Sequence, residues 1–215
     1  MQDTSKTWDN IFREDGRIFT EPHEFLPEFI AALPDPPARI LDLGCGTGRH
    51  LVALAEQGFH MYGFDRSDHG LHLARAWLTR KGFQAGLCVQ DFLDPLPCAD
   101  ASFNAILSTQ VIHHAVLAKV ENAVYEIYRV LKPGGLIFIS TPLYPPNRPD
   151  IKEIEPGTFI PLSGSERGLP HHYFTEERAR QVFHAFEILK IFTDSTRHLC
   201  IVARKPESDP HPHEL

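Results

Sequence analysis

The amino-acid sequence predicts an α/β fold in which helices cover both faces of a mostly parallel sheet. Short apolar strand patterns alternate with amphipathic helix patterns from residue 39 to residue 142, and this alternation is typical of βαβ units. A glycine-rich turn lies between the first of these strands and the first helix. The length of 215 residues and the 42% of hydrophobic residues suit one globular domain with a full core.

The region before residue 39 carries two helix patterns. Trp8 and Phe12 are four residues apart, which places both rings on one face of a helix. In residues 23–33, apolar side chains recur every three or four positions, so a second amphipathic helix is expected there. The PDPP run at residues 34–37 ends that helix, because proline removes a backbone donor.

The alternating region contains five strand patterns and three helix patterns. The expected strands are ARILDLG, HMYGFD, GLCVQD, FNAILSTQ and LIFISTP. The expected helices are GRHLVALAEQG, SDHGLHLARAWLTRKG and AKVENAVYEIYRVLKPGG. Ser67 or Asp68 can cap the second helix, whereas Gly58 and Gly82 can end the first and the second. In a sheet of this kind, ligands bind at the carboxyl ends of the strands.

The segment after the fifth strand differs in composition. Residues 142–170 hold seven of the eighteen prolines and show little periodicity, which favours a long loop that serves as a lid or a binding segment. TEERARQVFHAF is expected to form a helix capped by Thr175, and FEILKIFTDS and HLCIVARK to form a hairpin. The predicted single domain thus has an N-terminal helical lid (1–35), a core (36–141), a Pro-rich insert (142–174), a final helix and hairpin (175–206) and a disordered tail (207–215).

Composition disfavours several classes of partner. The formal net charge is −7 and the sequence has no long Lys/Arg run, so DNA is not expected as a partner and RNA is disfavoured. The four cysteines form no C-x-x-C pair, so neither a zinc-finger site nor a disulfide framework is expected. The sequence shows neither a signal-peptide pattern nor a membrane-spanning pattern, and a soluble cytoplasmic protein is therefore expected.

The stretch ILDLGCGTGRH at residues 40–50 is the most informative motif. Its glycines have the spacing G-x-G-x-G, whereas a dinucleotide-binding turn would require a glycine in place of Arg49. Acidic residues also end the next two strands, Asp65 after the second and Asp91 after the third. A turn, an acid for a ribose and an acid followed by Phe92 for an adenine suit a single adenosine ligand with a short charged arm.

Together, DLGCGTG, FDRS, QDF, LSTQVIHH and LKPGG resemble the class I S-adenosylmethionine-dependent methyltransferases, over residues 36–142. The resemblance implies a Rossmann-like, doubly wound, three-layer α/β/α fold with a seven-stranded, mostly parallel sheet and an antiparallel terminal strand. It also implies an enzyme that uses S-adenosyl-L-methionine as its cofactor and releases S-adenosyl-L-homocysteine.

The resemblance further assigns parts of the cofactor to residues of this chain. Asp42 and the turn at residues 44–48 would carry the methionine part, since glycines let the backbone approach a ligand and a carboxylate suits an ammonium. Residues 109–114 would line the pocket near the sulfonium, and Trp8 resembles the N-terminal lid of the family. The implied cofactor-binding residues are Trp8, Asp42, Gly44, Cys45, Gly46, Gly48, Asp65, Arg66, Asp91, Phe92, Thr109 and Gln110.

Methyl transfer needs an aligned acceptor, exclusion of water and sometimes a base, but no nucleophilic residue of the enzyme. His114 is the candidate general base, because an imidazole titrates near neutral pH; its alternative role is packing or hydrogen bonding at a helix start. The candidate substrate-binding residues are His113, Tyr144, His171, His172 and Tyr173. The four histidines also raise the question of a metal site, but no H-x-x-x-H spacing or carboxylate triad accompanies them, so no metal is expected.

Elimination leaves a small organic molecule as the expected methyl acceptor. Two alternatives stay open at this point. One is a tRNA or protein methyltransferase that acts with a partner subunit, and the other is a module that binds S-adenosylmethionine without catalysis.

Overall fold

The computed structural model of the chain describes residues 5–144 and 148–208, with side chains from residue 8 onward. The predicted disordered tail therefore lies outside the described residues from residue 209 onward. The helices are α1 (Ser5–Asp15), α2 (Leu26–Ala31), α3 (Arg49–Ala55), α4 (Asp68–Arg80), α5 (Leu117–Val130) and α6 (Glu176–Val182). The strands of the main sheet are β1 (Arg39–Leu43), β2 (His60–Asp65), β3 (Gly86–Val89), β4 (Phe103–Thr109), β5 (Leu131–Pro142), β9 (Glu187–Thr193) and β10 (His198–Arg204).

The main sheet has seven strands in the order β3-β2-β1-β4-β5-β10-β9. The first five strands of this order pair in parallel, whereas β10 runs antiparallel to both of its neighbours. This confirms the predicted mostly parallel sheet with an antiparallel terminal strand. The strand order reverses between β1 and β4, and such a switch point opens a crevice at the carboxyl ends of the strands.

Helices pack on both faces of the sheet, as the alternating pattern predicts. One apolar layer contains Val120, Val124 and Ile127 of α5. The opposite layer contains buried side chains of α2, α3 and α4, among them Phe29 and Leu51. Burial of these apolar stripes is the main force that holds the three layers together.

The predicted helix caps are present. The Ser67 hydroxyl accepts a hydrogen bond from the backbone N–H of Gly70 at 2.9 Å, and the Thr175 hydroxyl accepts one from Arg178 at 3.0 Å. The boundary predicted at LKPGG is wrong, because α5 ends at Val130 and LKPGG begins β5. Pro133 disfavours helical backbone at the residue before it and so stops the helix early.

The Pro-rich insert contains a small sheet, which the expectation of a long loop did not include. Its strands are β6 (Ile151–Glu155), β7 (Thr158–Pro161) and β8 (His171–His172), paired antiparallel in that order. Gly157 has a φ of +81° in the turn between β6 and β7, a backbone conformation that favours glycine. These strands have only five, four and two residues, which is too short to show a periodicity of two.

Two further observations complete the fold. All four cysteines are free thiols. Within the described residues, every helix is too short or too polar to cross a membrane.

Candidate active site

A cavity of about 320 Å³ lies at the carboxyl ends of β1, β2 and β4, a volume typical of small-molecule sites. Its wall combines the glycine turn, the residues after β4, the helix α1 and part of the insert. The lining residues are Trp8, Phe12, Phe19, Leu43, Gly44, Cys45, Gly46, Thr47, Arg49, His50, Asp65, Arg66, Gln90, Phe92, Thr109, Gln110, Val111, His113, His114, Pro142, Arg148, Glu166, His171 and His198.

The glycine turn adopts backbone angles that side chains other than glycine rarely adopt. Gly44 and Gly46 have φ values of +77° and +51°. A Cβ at Gly44 would clash with the side chain of Val111, and a Cβ at Gly46 would lie 3.3 Å from Cζ of Phe12. Because Gly44 has no side chain, the Val111 side chain in the loop after β4 can pack against the turn. Because Gly46 has none, the space between the turn and α1 stays open.

The carboxylate of Asp65 holds the turn in place. One of its oxygens accepts a hydrogen bond from the backbone N–H of Gly46 at 2.7 Å, and the other accepts one from Ser67 at 2.8 Å. Burial raises the pKa of Asp65 to about 6, although both hydrogen bonds act in the opposite direction. Each carboxylate oxygen has a second lone pair, so the side chain can still accept hydrogen bonds from a ligand.

Asp42 does not line the cavity but lies beside His50, which does. Its side chain is 1% exposed, and neither carboxylate oxygen accepts a hydrogen bond from the described residues. Nδ1 of His50 is 3.7 Å from the nearer oxygen. A buried carboxylate in this state is a strong site of negative potential for a cation nearby.

Only some of the residues that were predicted to lie near the adenine of the cofactor line the cavity. Phe92 and Arg66 line the cavity, whereas Asp91 does not. The Asp91 carboxylate instead contacts a guanidinium nitrogen of Arg66 at 3.1 Å and accepts a hydrogen bond from the backbone N–H of Leu93 at 3.1 Å. Gln90 supplies a polar group in the wall at this position.

The helix α1 roofs the cavity with two aromatic rings. The Phe12 ring lies over Gly46, and the Trp8 ring lies 5.4 Å from the ring of His114 in an edge-on arrangement. Asp9 fixes this helix to the start of α4, because its carboxylate accepts hydrogen bonds from the Ser67 hydroxyl at 2.8 Å and the His69 backbone N–H at 2.9 Å.

Three histidines and a glutamate in the cavity wall form one cluster, the His–Glu group (His113, His114, Glu166 and His171). The ring centroids of His113 and His114 are 3.9 Å apart, and those of His114 and His171 are 4.7 Å apart. Both carboxylate oxygens of Glu166 face histidines, at 3.7 Å from Nε2 of His114 and 3.3 Å from Nε2 of His171.

The charge states within the His–Glu group follow from burial and contact. Burial lowers the pKa of His114, with Glu166 acting in the opposite direction. Burial and the adjacent imidazoles hold the pKa of His113 well below its usual range, and the two facing histidines lower the pKa of Glu166. The group therefore favours neutral His113 beside an ionised carboxylate.

Comparison with known proteins identifies the family. Residues 41–139 match the family model described as a methyltransferase domain. An S-adenosylmethionine-dependent methyltransferase from Methanosarcina mazei shares the fold, with a TM-score of 0.70 and 23% identity over 85% of this chain and 98% of that one. Residues 41–139 therefore form a methyltransferase domain, and the chain has the fold of the class I S-adenosylmethionine-dependent methyltransferases.

Curated relatives of this methyltransferase differ in the acceptors that their names give. A 24-methylenesterol C-methyltransferase 2 from Oryza sativa subsp. japonica is 32% identical over 81% of this chain and 49% of its own length. A tRNA (carboxymethyluridine(34)-5-O)-methyltransferase from Macaca fascicularis is 36% identical over 55% of this chain and 16% of its own length. The chain spans about half the length, or less, of these curated relatives.

In the methyltransferase fold, three of the five predicted substrate-binding residues lie outside the cavity wall. Tyr144 is exposed and lies against Phe159 of β7, at 6.2 Å between ring centroids. His172 is buried, and its Nδ1 lies 2.8 Å from the Thr158 hydroxyl. Tyr173 lies edge-on to Phe159 at 5.5 Å. These three side chains contact the small sheet, whereas His113 and His171 do line the cavity.

Several residues of the cavity wall were not predicted from the sequence. A guanidinium nitrogen of Arg49 donates to the Thr109 hydroxyl at 3.3 Å, and the Gln110 amide nitrogen lies 3.4 Å from Nδ1 of His198. Glu166 reaches the cavity from the turn before β8. Arg49 follows the glycine turn and could have been suspected from that position, but nothing local to Glu166 or His198 signals the long-range contact.

Proposed function

We propose that the protein transfers a methyl group from S-adenosyl-L-methionine to a small organic acceptor by in-line displacement. The observation that carries this proposal is that one cavity is lined both by the glycine turn with Asp65 and by the His–Glu group. The cofactor, when bound, supplies the electrophilic methyl group. The protein has to position the acceptor, exclude water and take up a proton where one is released.

The residues at the turn fit the chemistry of this cofactor. Gly46 leaves the space that a Cβ would partly fill. The buried carboxylate of Asp42, which accepts no hydrogen bond within the described residues, suits the positive charge of an ammonium. We propose that Asp65 accepts hydrogen bonds from the ribose hydroxyls and that Phe92 contacts the adenine, whereas Asp91 acts through Arg66, which lines the cavity. Trp8 would cover the sulfonium, since an aromatic face attracts a cation.

His114 is the proposed general base. Its Nδ1 lies 3.1 Å from the carbonyl oxygen of Val111, and a carbonyl can only accept, so the ring proton of the neutral form is on Nδ1. The lone pair is then on Nε2, the atom that faces the His–Glu group. A proton taken up at Nε2 would be stabilised by Glu166, whose carboxylate is 3.7 Å away.

A small acceptor is favoured by the enclosure of the site. Helix α1 and the turn that carries Glu166 both line the cavity. The space between them has room for an acceptor of modest size. The second candidate is tRNA, because one relative's name gives a tRNA acceptor, but the formal net charge of −7 opposes a polyanion. We further propose a cytoplasmic location, where four free cysteines would stay reduced.

Two measurements test the proposed function. Calorimetric titration with S-adenosylmethionine and S-adenosylhomocysteine should give one binding site per chain. Release of S-adenosylhomocysteine should then be followed with a panel of phenols, carboxylic acids, amines, sterols and bulk tRNA. Turnover with a small molecule is expected. Absence of cofactor binding at millimolar ligand would refute the proposal. Turnover with tRNA and with none of the small molecules would show that tRNA is the acceptor.

The proposed role of Asp65 predicts that cofactor affinity depends on pH. The pKa of about 6 means that the side chain is protonated in the free protein below that pH, and a ribose requires the carboxylate as acceptor. Affinity should therefore be constant above pH 7 and fall by up to about tenfold per pH unit below pH 6. Calorimetry at pH 5 and pH 7.5 measures the difference.

Two variants of the same residue check this interpretation. Asp65→Asn keeps the shape of the side chain and should remove the pH dependence together with most of the affinity. Asp65→Ala should lose cofactor binding while the fold is retained. Normal binding by Asp65→Ala would show that the ribose assignment is wrong.

A further inference from the structure

We propose that the His–Glu group binds a divalent transition cation of the zinc class. His113, His114, Glu166 and His171 are the proposed ligands. The proposal concerns metal binding by the protein alone and does not depend on the proposed methyl transfer.

The donor atoms already converge on one point. One ring nitrogen from each of the three histidines lies within 4.8 Å of the others. The Glu166 carboxylate joins them, with one oxygen 3.7 Å from His114 and the other 3.3 Å from His171. Nitrogen ligands at about 2.1 Å from one ion lie about 3.4 Å apart in tetrahedral geometry, so side-chain rotations that bring the nitrogens up to about 1.4 Å closer together would complete the site.

Hydrogen bonding fixes which ring nitrogen of His114 and of His171 is available to bind a metal ion. Nδ1 of His114 lies 3.1 Å from the carbonyl oxygen of Val111, and Nδ1 of His171 lies 2.8 Å from that of Leu169. Both carbonyls can only accept, so both Nδ1 atoms carry a proton. In metal-binding proteins, ligating histidines commonly donate the other ring N–H to a backbone carbonyl in this way.

The same constraint makes the site unfavourable without a cation between its groups. With Nδ1 protonated, the neutral rings of His114 and His171 have their Nε2 lone pairs towards Glu166, so a favourable contact with the carboxylate requires a proton or a metal cation between them. Both rings are buried, at 7% and 6% exposed. Nδ1 of His113 is also buried and accepts no hydrogen bond within the described residues. One divalent cation would neutralise the carboxylate and engage the lone pairs together.

The ligand set indicates the class of metal. Three imidazoles and one carboxylate suit borderline cations such as Zn²⁺ and Co²⁺, whereas Mg²⁺ and Ca²⁺ prefer oxygen ligands. A bound cation would occupy the position at Nε2 of His114 that a proton takes in the metal-free protein. It would also join two parts of the chain, since His113 and His114 follow β4 and the other two ligands belong to the insert.

Metal-free protein, prepared by dialysis against a chelator, provides the test. Calorimetric titration with Zn²⁺ should show one site that Glu166→Gln and His171→Ala each weaken by about 100-fold or more. Titration with Co²⁺ should give visible absorption bands of a nitrogen-ligated ion, and the bands should be lost in both variants. Glu166→Gln keeps the side-chain shape, and circular dichroism confirms that each variant is folded.

Histidines elsewhere in the chain require matched controls. His69 and His72 on α4 stack at 6.4 Å between ring centroids, and the C-terminal sequence contains His211 and His213. His72→Ala and the double variant His211→Ala/His213→Ala should bind Zn²⁺ as the parent protein does. The proposal is overturned if the parent protein does not bind Zn²⁺ stoichiometrically. It is also overturned if Zn²⁺ binding is lost only in the control variants. Cofactor titration of the metal-free protein tests the proposed function separately.

Discussion

Gly46→Leu is expected to abolish binding of S-adenosylmethionine while the protein still folds. Gly46 has a φ of +51°, and a Cβ there would lie 3.3 Å from the Phe12 ring. A leucine side chain would therefore fill the space between the glycine turn and α1. We expect the dissociation constant to rise by at least about 100-fold, which corresponds to about 2.7 kcal/mol. Calorimetry measures the affinity, and thermal unfolding monitored by circular dichroism measures the fold.

Gly82→Leu is the matched control for this variant. Gly82 has a φ of +81° and open space around its Cβ position, at the end of α4 and far in sequence from the turn. Both variants force a side chain into left-handed backbone, which costs about 1–2 kcal/mol, but only the first one intrudes on the cavity. Equal cofactor affinity in the two variants would contradict the placement of the methionine part at this turn.

His114→Ala is expected to lower turnover by about 100-fold or more, the usual contribution of a general base, with cofactor affinity unchanged. The ring is 7% exposed and lies in the cavity wall beside Trp8 and Glu166. Its removal takes away the lone pair that would receive the acceptor's proton but leaves the glycine turn intact. Initial rates under saturating cofactor, together with calorimetry, separate the two effects.

An exposed histidine provides the comparison for this second variant. His72 lies on the outer face of α4, and His72→Ala should keep the parent turnover. If His114→Ala turns over at the parent rate, His114 has no part in the mechanism. A loss of cofactor affinity in His114→Ala would instead indicate that the residue supports the cofactor end of the cavity.

The fold was predictable because local patterns and long-range packing agree over most of the chain. The run Ile40–Leu43 is apolar except at Asp42, leads into the glycine turn and forms a buried strand paired on both sides. The caps at Ser67 and Thr175 are local hydrogen bonds, so three or four residues of sequence suffice to predict them. The hairpin of β9 and β10 likewise follows from two adjacent strand patterns.

The acceptor end of the site was less predictable, because it depends on how distant segments meet. The turn SGSERG carries no periodicity, yet it brings Glu166 to His114. His171 and His172 are adjacent in β8, and successive side chains of a strand point to opposite sides. The His171 ring therefore lines the cavity, whereas the His172 ring contacts Thr158. A two-residue strand cannot be assigned a register without its partner strand.

The anchoring of α1 bears on how long the spent cofactor stays bound. The Phe12 ring covers Gly46, and Asp9 ties the same helix to Ser67 and His69 at the start of α4. If the cofactor binds beneath this helix as proposed, its product would leave only after these contacts open. The residence time of the product would then depend on the anchoring of α1, and the turnover number would be sensitive to Asp9 as well as to the residues beside the transferred methyl group.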